Sequence, residues 1–209
     1  MKLFLSAGHN VNDSGAPNPS HPELSEFKIN RTLCEKIYEN IKGKIQTVFV
    51  SDDINLSQTI SFINANATSE DFAIEFHQNS ASSASAHGAE IFYYGNSSVR
   101  KTQAENFLNM FLQDHPHFTN RGAKNDSLSF TKNTNCPALL FETGFLSNKG
   151  DSDYIVSNLD AIAGTLSSCI LDLFNYVEVA PPPPIPEVNE KLAIIGRIET
   201  DLALLKQLC

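Results

Sequence analysis

Four side chains that can bind a metal ion or carry a proton lie next to short apolar segments of the sequence. His9, His77 and Glu142 each follow such a segment, and Glu26 lies where a helical pattern begins. Imidazole nitrogens and a carboxylate oxygen are typical ligands of a catalytic zinc ion, which keeps one position for water. A second carboxylate beside the ion can carry a proton from that water to a leaving nitrogen. The residue types therefore predict a catalytic zinc site with a separate proton carrier.

The spacing of these residues leaves the choice of ligands open. They lie far apart in the sequence, and no HExxH motif places two histidines on one helix. His21 and Glu23 compete with Glu26 for the second ligand position. His21 is more simply interpreted as a solvated loop residue, and Glu23 as a charge at the start of a helix. Three further histidines are expected to lie in loops without a metal role: His87, His115 and His117.

The segments that must position these residues alternate between strand and helix patterns. Short apolar or alternating segments predict strands at residues 3–7, 47–50, 72–76, 89–94 and 138–141. Helical periodicity predicts helices at residues 27–41, 56–67, 99–112 and 155–174. This alternation predicts an α/β fold with a twisted, mostly parallel sheet of about six strands, flanked by helices on both faces. In such sheets functional side chains gather at the carboxyl ends of the strands.

The sequence also predicts a boundary near its carboxyl end. Residues 1–176 form the predicted main domain, and residues 177–186 form a proline-rich linker that favours extended backbone. Residues 187–209 place apolar side chains at spacings of three and four, which predicts an amphipathic helix. Such a helix is too short to form a core alone. We expect it to dock on a partner or to self-associate, or else to fold back onto its own domain.

The composition argues against several partners and locations. A net charge of −9 gives no general attraction to nucleic acid or to anionic lipid. No apolar stretch reaches the roughly 20 residues of a membrane-spanning helix. The apolar segment at residues 3–7 lacks the length and cleavage pattern of a signal peptide, so we expect synthesis in the cytoplasm without one. The cysteines form no CxxC pair, which favours a reducing compartment.

Five short segments carry a resemblance to a known family. They are residues 6–9 (SAGH), 26–30 (EFKIN), 75–79 (EFHQN), 120–122 (NRG) and 141–148 (FETGFLSN). In this order they resemble zinc-dependent N-acetylmuramoyl-L-alanine amidases, and the resemblance extends over residues 1–176. It implies that His9, Glu26 and His77 bind Zn²⁺ and that Glu142 is the catalytic general base. It places Arg121 and Asn79 at the substrate groove.

The resemblance implies a peptidoglycan hydrolase that cleaves the amide bond between N-acetylmuramic acid and the L-alanine of the stem peptide. Because this substrate lies outside the membrane, we expect another system to release or deliver the enzyme. A phage or prophage lysin (endolysin) or a lysin carried by an injection particle meets this requirement. Two alternatives stay open: a zinc peptidase or deacylase acting on another amide, and a non-catalytic cell-wall-binding module with the same fold.

Overall fold

The computed structural model describes residues 1–177 and residue 195. The chain divides into two units, Met1–Tyr176 and Val177–Cys209, and the sheet with its helices belongs to the first. Apart from residues 177 and 195, the predicted linker at 177–186 and the predicted amphipathic helix at 187–209 lie outside the described residues. Both stay predictions.

The first unit contains six strands and six helices in the described residues. In chain order they are β1 (Leu3–Ala7), α1 (Glu26–Ile41), β2 (Thr47–Phe49), α2 (Leu56–Asn66), β3 (Phe72–Asn79), β4 (Ala89–Tyr93), α3 (Ser98–Asp114), β5 (Asn120–Asn125), α4 (Ser129–Asn133), β6 (Ala138–Phe145), α5 (Lys149–Ser157) and α6 (Leu159–Leu173). The strands form one sheet in the order β2-β1-β3-β6-β4-β5. All neighbouring strands are parallel except β4 and β6. The predicted α/β fold with a mostly parallel sheet is confirmed.

Two apolar cores lie on opposite faces of this sheet, because successive side chains of a strand point to opposite sides. Leu5 and Ile74 belong to the larger core, which also contains buried residues of α1, α3 and α6. Phe4 belongs to the smaller core, where Ile63 of α2 and Phe130 of α4 cover the sheet. The helices of the smaller face are short. Three long helices therefore cover one face of the sheet, and two shorter ones cover the other.

Two parts of the fold differ from the sequence prediction. Strand β5 was not predicted, because Asn120–Asn125 is polar, has no buried residue and shows no apolar alternation. It is an edge strand held by backbone pairing with β4. The predicted helix at residues 155–174 is instead part of two helices, α5 and α6, which are bent by 82°. At the break Asn158 has a φ of −122° and a ψ of 21°, which are not helical values, and its side chain donates to the Tyr154 carbonyl at 2.9 Å.

The helices of the described region contain between 5 and 17 residues. No single one is long and apolar enough to cross a bilayer. Helices α5 and α6 reach that length and hydropathy only together, across their bend.

Candidate metal and proton-transfer site

The predicted site residues meet at the carboxyl ends of neighbouring parallel strands. Strands β1 and β6 flank β3, so His9, which follows β1, lies beside the end of β3. Strands β3 and β6 extend further than the sequence predicted, and they place His77 directly opposite Glu142 in the strand register. Glu26 is the first residue of α1. Four residues that are distant in sequence therefore share one end of the sheet.

The site lies on the sheet face that the short helices cover. Along β3, Ala73 of the smaller core is followed on the same face by Glu75 and His77. Along β6, Leu140 of the same core is followed by Glu142. Each strand thus changes from apolar to ionisable side chains on one face as it approaches its carboxyl end.

Glu26 lies between the two imidazoles. Its Oε2 is 3.0 Å from His9 Nε2, and its Oε1 is 2.9 Å from His77 Nδ1. One candidate ligand atom from each of the three residues lies within 4.8 Å of the others. The carboxylate also accepts backbone hydrogen bonds from Ala16 at 2.7 Å and from Gln78 at 3.1 Å. These bonds fix Glu26 where both histidines can share a metal ion with it.

The loop between β1 and α1 uses unusual backbone to bring these groups together. Gly15 has a φ of +67°, and a Cβ atom at this position would lie 2.5 Å from Glu26 Oε2. A Cβ at Gly8 would lie 2.3 Å from the His77 ring. His9 itself has a φ of 68°, a left-handed backbone conformation that is uncommon for residues other than glycine. The close approach of backbone and ligands explains both glycines.

The electrostatics of the cluster favour a bound cation. Burial alone would raise the pKa of Glu26, but hydrogen bonds with His77 and His9 hold it well below its usual range. Burial alone would lower the pKa of His77, yet hydrogen bonds with Glu26 and Glu75 raise it well above the usual value. A hydrogen bond with Glu26 also raises the pKa of His9. The surrounding carboxylates thus stabilise positive charge on both imidazoles, the charge that a metal ion would supply instead.

Glu142 lies beside this cluster in a different environment. Its Oε2 atom is buried and finds no hydrogen-bond partner among the described residues. Burial raises its pKa to about 7, with the charge of His77 opposing the shift. A carboxyl group that titrates near neutrality can both accept and release a proton. The geometry is therefore that of a proton carrier adjoining three candidate ligands.

The two predicted substrate residues share a partner that the sequence analysis missed. Arg121 Nε is 2.9 Å from Glu90 Oε2, and Asn79 Nδ2 donates to Glu90 Oε1 at 2.6 Å. Lys124 also pairs with Glu90. Glu90 is buried and lies opposite Glu142 in the pairing of β4 with β6. The sequence feature that could have identified Glu90 is an acidic residue within the strand pattern at 89–94.

Two further carboxylates contact the histidines and were also missed. Glu75 Oε2 is 3.1 Å from His77 Nε2, and Asp13 Oδ2 is 3.0 Å from His9 Nδ1. All four of these residues also line a cavity of about 150 Å³ beside the cluster. Glu75 stands two residues before His77 in a strand, so its position on the same face was readable from the alternation.

The competing ligand candidates lie elsewhere. His21 Nε2 is 3.0 Å from Asp153 Oδ1, and Glu23 is exposed. His87 contacts Thr119. Two other histidines pack on Tyr154, namely His115 and His117. Within the described residues, the group able to hold a metal ion is His9, Glu26 and His77.

This donor set fits a zinc ion. Two imidazoles and one buried carboxylate are the ligands of a three-coordinate protein site that leaves a position open, as catalytic zinc requires. The two glycines keep the space between the ligands free of side-chain atoms. The unpartnered Oε2 of Glu142 supplies the separate proton-carrying group.

Curated proteins similar to this chain include cell wall amidases. The probable cell wall amidase LytH of Staphylococcus saprophyticus is 27% identical over 157 residues, which are 75% of this chain and 52% of LytH. The N-acetylmuramoyl-L-alanine amidase CwlM of Bacillus licheniformis is 25% identical over 162 residues, 76% of this chain and 62% of CwlM. The chain thus spans between half and two thirds of the length of these curated relatives.

A solved structure shares the fold. The N-acetylmuramoyl-L-alanine amidase from Clostridium difficile 630 superposes with a TM-score of 0.76 at 21% identity, covering 84% of this chain and 97% of that one. The family sequence model described as N-acetylmuramoyl-L-alanine amidase matches residues 3–171. Because this match includes all six strands and the whole site, the chain belongs to the N-acetylmuramoyl-L-alanine amidase family.

Proposed function

We propose that this chain hydrolyses the amide bond between the lactyl group of N-acetylmuramic acid and the L-alanine that begins the peptidoglycan stem peptide. The observation that carries the proposal is the arrangement of His9, Glu26 and His77 around one point, with the unpartnered carboxyl of Glu142 directly across the strand pair from His77. Family membership supports the choice of the bond.

His9, Glu26 and His77 would hold a zinc ion. When bound, zinc polarises the carbonyl of the scissile amide and lowers the pKa of its water to about 7. The protein contributes the geometry: Glu26 is fixed by backbone donors on both oxygens, and His9, which follows β1, and His77, in β3, both contact it. One ligand atom of each of the three residues already lies within 4.8 Å of the others.

Glu142 would move the proton. Its Oε2 accepts a proton from the attacking water while the new carbon–oxygen bond forms. It then returns this proton to the nitrogen of the departing L-alanine as the carbon–nitrogen bond breaks. A pKa raised to about 7 by burial suits both halves of this transfer. The proton carried by Glu142 therefore balances the reaction without another acid.

Arg121 and Asn79 would contact the glycan or the stem peptide. Arg121 lies with its guanidinium 4.6 Å from the centre of the Phe145 ring, and its hydrogen bond to Glu90 fixes its direction. Asn79 is held by the same carboxylate. Glu90 thus orients two polar groups at the end of the sheet where Glu142 lies.

Digestion of purified peptidoglycan followed by mass analysis of the fragments tests the proposed bond. We expect new amino-terminal L-alanine together with intact muramic acid. Release of other new termini would indicate a peptidase or deacylase, and binding of peptidoglycan without any cleavage would indicate a non-catalytic wall-binding module. Either result would overturn the proposal.

The setting in which the enzyme reaches its substrate is a separate proposal. Peptidoglycan lies outside the cytoplasmic membrane, so we propose delivery as a phage or prophage lysin or as a component of an injection particle. Detection of the chain in purified particles would support the second route, and accumulation in the cytoplasm until lysis would support the first. Export by the host without phage genes or particles would contradict both.

A further inference from the structure

Each histidine of the candidate zinc site lies between two carboxylates. His77 Nδ1 is 2.9 Å from Glu26, and its Nε2 is 3.1 Å from Glu75. His9 Nε2 is 3.0 Å from Glu26, and its Nδ1 is 3.0 Å from Asp13. In each ring, therefore, one nitrogen faces the shared carboxylate and the other faces an outer one.

We propose that Glu75 is a positioning residue, which accepts a hydrogen bond from His77 Nε2–H and thereby leaves His77 Nδ1 as the metal-binding atom. This inference rests on the zinc site proposed above. A neutral imidazole carries one proton, so a proton held on Nε2 by Glu75 gives Nδ1 the free electron pair. Histidine ligands commonly donate their second nitrogen to a carboxylate, which fixes the ring and makes the ligand more basic.

The surroundings of Glu75 hold it in this role. Its side chain is 6% exposed, and Ser6 Oγ donates to its Oε1 at 3.2 Å. Ser6 and Glu75 are register partners in the pairing of β1 with β3. The carboxylate therefore presents Oε2 to His77 from a rigid strand position, and this support is stronger than a loop residue could give.

The His77 ring has little freedom to turn its nitrogens around. A Cβ atom at Gly8 would lie 2.3 Å from the ring, so the backbone of the loop already packs against it. Glu26 and Glu75 contact its two nitrogens on opposite sides. The geometry thus assigns His77 Nδ1 and His9 Nε2, different atoms of the two rings, to the ion.

Asp13 occupies the corresponding position beside His9, but it should position that ring less firmly. Its side chain is 61% exposed, whereas the Glu75 side chain is 6% exposed. Water screens an exposed carboxylate and competes for its hydrogen bonds. Loss of Glu75 should therefore weaken metal binding more than loss of Asp13.

NMR of the full chain loaded with an NMR-active cadmium isotope and labelled with nitrogen-15 histidine tests the assigned atoms. We expect cadmium–nitrogen coupling to His77 Nδ1 and to His9 Nε2. Coupling to His77 Nε2, or to His9 alone, would overturn the role of Glu75 while leaving a metal site in place. Absence of coupling to any histidine would overturn the zinc site and this inference together.

Zinc affinity, measured by competition with a chelator, tests the role of Glu75 independently of catalysis. We expect Glu75→Ala to weaken zinc binding about 10- to 100-fold and Asp13→Ala to weaken it less. Glu75→Gln retains an acceptor oxygen, so its affinity should lie between those of wild type and Glu75→Ala. If Glu75→Ala does not fold, Glu75→Gln and the NMR assignment still decide the question.

Asp71→Asn is the matched control, because Asp71 is also buried and precedes the same strand but bonds Lys2 and Thr68 instead of a histidine. Its zinc affinity should stay within about threefold of wild type even where its stability falls. Equal losses of zinc affinity in Asp71→Asn and Glu75→Ala would show that general destabilisation causes the effect, and this would overturn the inference. A folded Glu75→Ala protein with wild-type affinity would also overturn the inference.

Discussion

Buried carboxylates at one end of the sheet are the main electrostatic feature at the scale of single residues. Glu26, Glu75, Glu90 and Glu142 are acids on neighbouring elements, and three of them are paired with histidine, arginine or lysine. Glu142 has an unpartnered Oε2 among the described residues. A protein gains no stability from such a group, so its presence is best explained by a chemical role.

The first prediction concerns the stability cost of Glu142. Burial raises its pKa to about 7 from an ordinary 4.5, so between these values the folded protein binds more protons than the unfolded chain. The free energy of unfolding contributed by this group therefore falls as pH rises through that window. In chelator-treated protein, Glu142→Gln should be more stable than wild type by about 1–3 kcal/mol at about pH 8.

Urea unfolding at several pH values measures this difference. The advantage of Glu142→Gln should fall to a few tenths of a kcal/mol at about pH 4, below both pKa values, where the carboxyl of wild type is mostly protonated in both states. Equal stability of the two proteins at the higher pH would show that Glu142 is not destabilised by burial.

The second prediction concerns the glycine that lies against the ligands. Gly15→Ala places a methyl group 2.5 Å from Glu26 Oε2 at a φ of +67°. It should lower both stability and zinc affinity, because the ligand and the backbone must both shift. Gly43→Ala is the control: its φ is +77° and nothing lies within 4 Å of the added atom. Calorimetry and chelator competition provide the two measurements.

Gly43→Ala should cost about 1–2 kcal/mol of stability through its backbone conformation alone, with zinc affinity unchanged. If Gly15→Ala binds zinc as tightly as Gly43→Ala does, the close approach of Gly15 to Glu26 has no functional consequence.

At the scale of elements, strand alternation explains how much of the site was predictable. The apolar segments before His9, His77 and Glu142 were visible, and parallel strands necessarily bring their carboxyl ends together. The sequence did not show that β3 and β6 continue through the polar residues, because backbone pairing rather than apolar character extends them. For the same reason β5, an exposed polar edge strand, and its contacts with Glu90 were missed.

The third prediction concerns the strand that carries Glu142. Phe141 is fully buried, and its ring centre lies 4.9 Å from that of Phe111 and 5.5 Å from that of Phe107. Phe141→Ala should lower the free energy of unfolding by about 3–5 kcal/mol, because it leaves a cavity between β6 and α3. Val99→Ala, at a side chain in an exposed position of α3, should change it by less than about 0.5 kcal/mol.

Denaturant unfolding compares these two variants with wild type. A loss in Phe141→Ala no larger than that in Val99→Ala would contradict the packing described for the larger core.

At the scale of the whole molecule, the acidic charge and the predicted tail bear on how the chain would reach the proposed substrate. A net charge of −9 gives no attraction to anionic wall polymers, so the proposed recognition of peptidoglycan falls to the residues around Glu142 and to any partner. The predicted amphipathic helix at residues 187–209 lies outside the described residues. Its role stays a prediction that solution measurements can test.

The fourth prediction concerns this tail. Truncation after Tyr176 should abolish self-association or partner binding while leaving the first unit folded, because that unit contains the whole sheet and both cores. Light scattering and circular dichroism report the mass and the fold. An unchanged oligomeric mass together with unchanged partner binding would show that the tail folds back onto its own domain or has no docking role.

The most direct test of the central claim measures bound zinc and released amino-terminal alanine in the same preparations of wild type and Glu142→Gln. The site described above predicts one zinc ion per chain in both proteins, because Glu142 is not a ligand, and alanine release from peptidoglycan by wild type alone. Full activity in Glu142→Gln, or a wild-type protein that cleaves the bond without binding any metal, would contradict the assignment of His9, Glu26, His77 and Glu142.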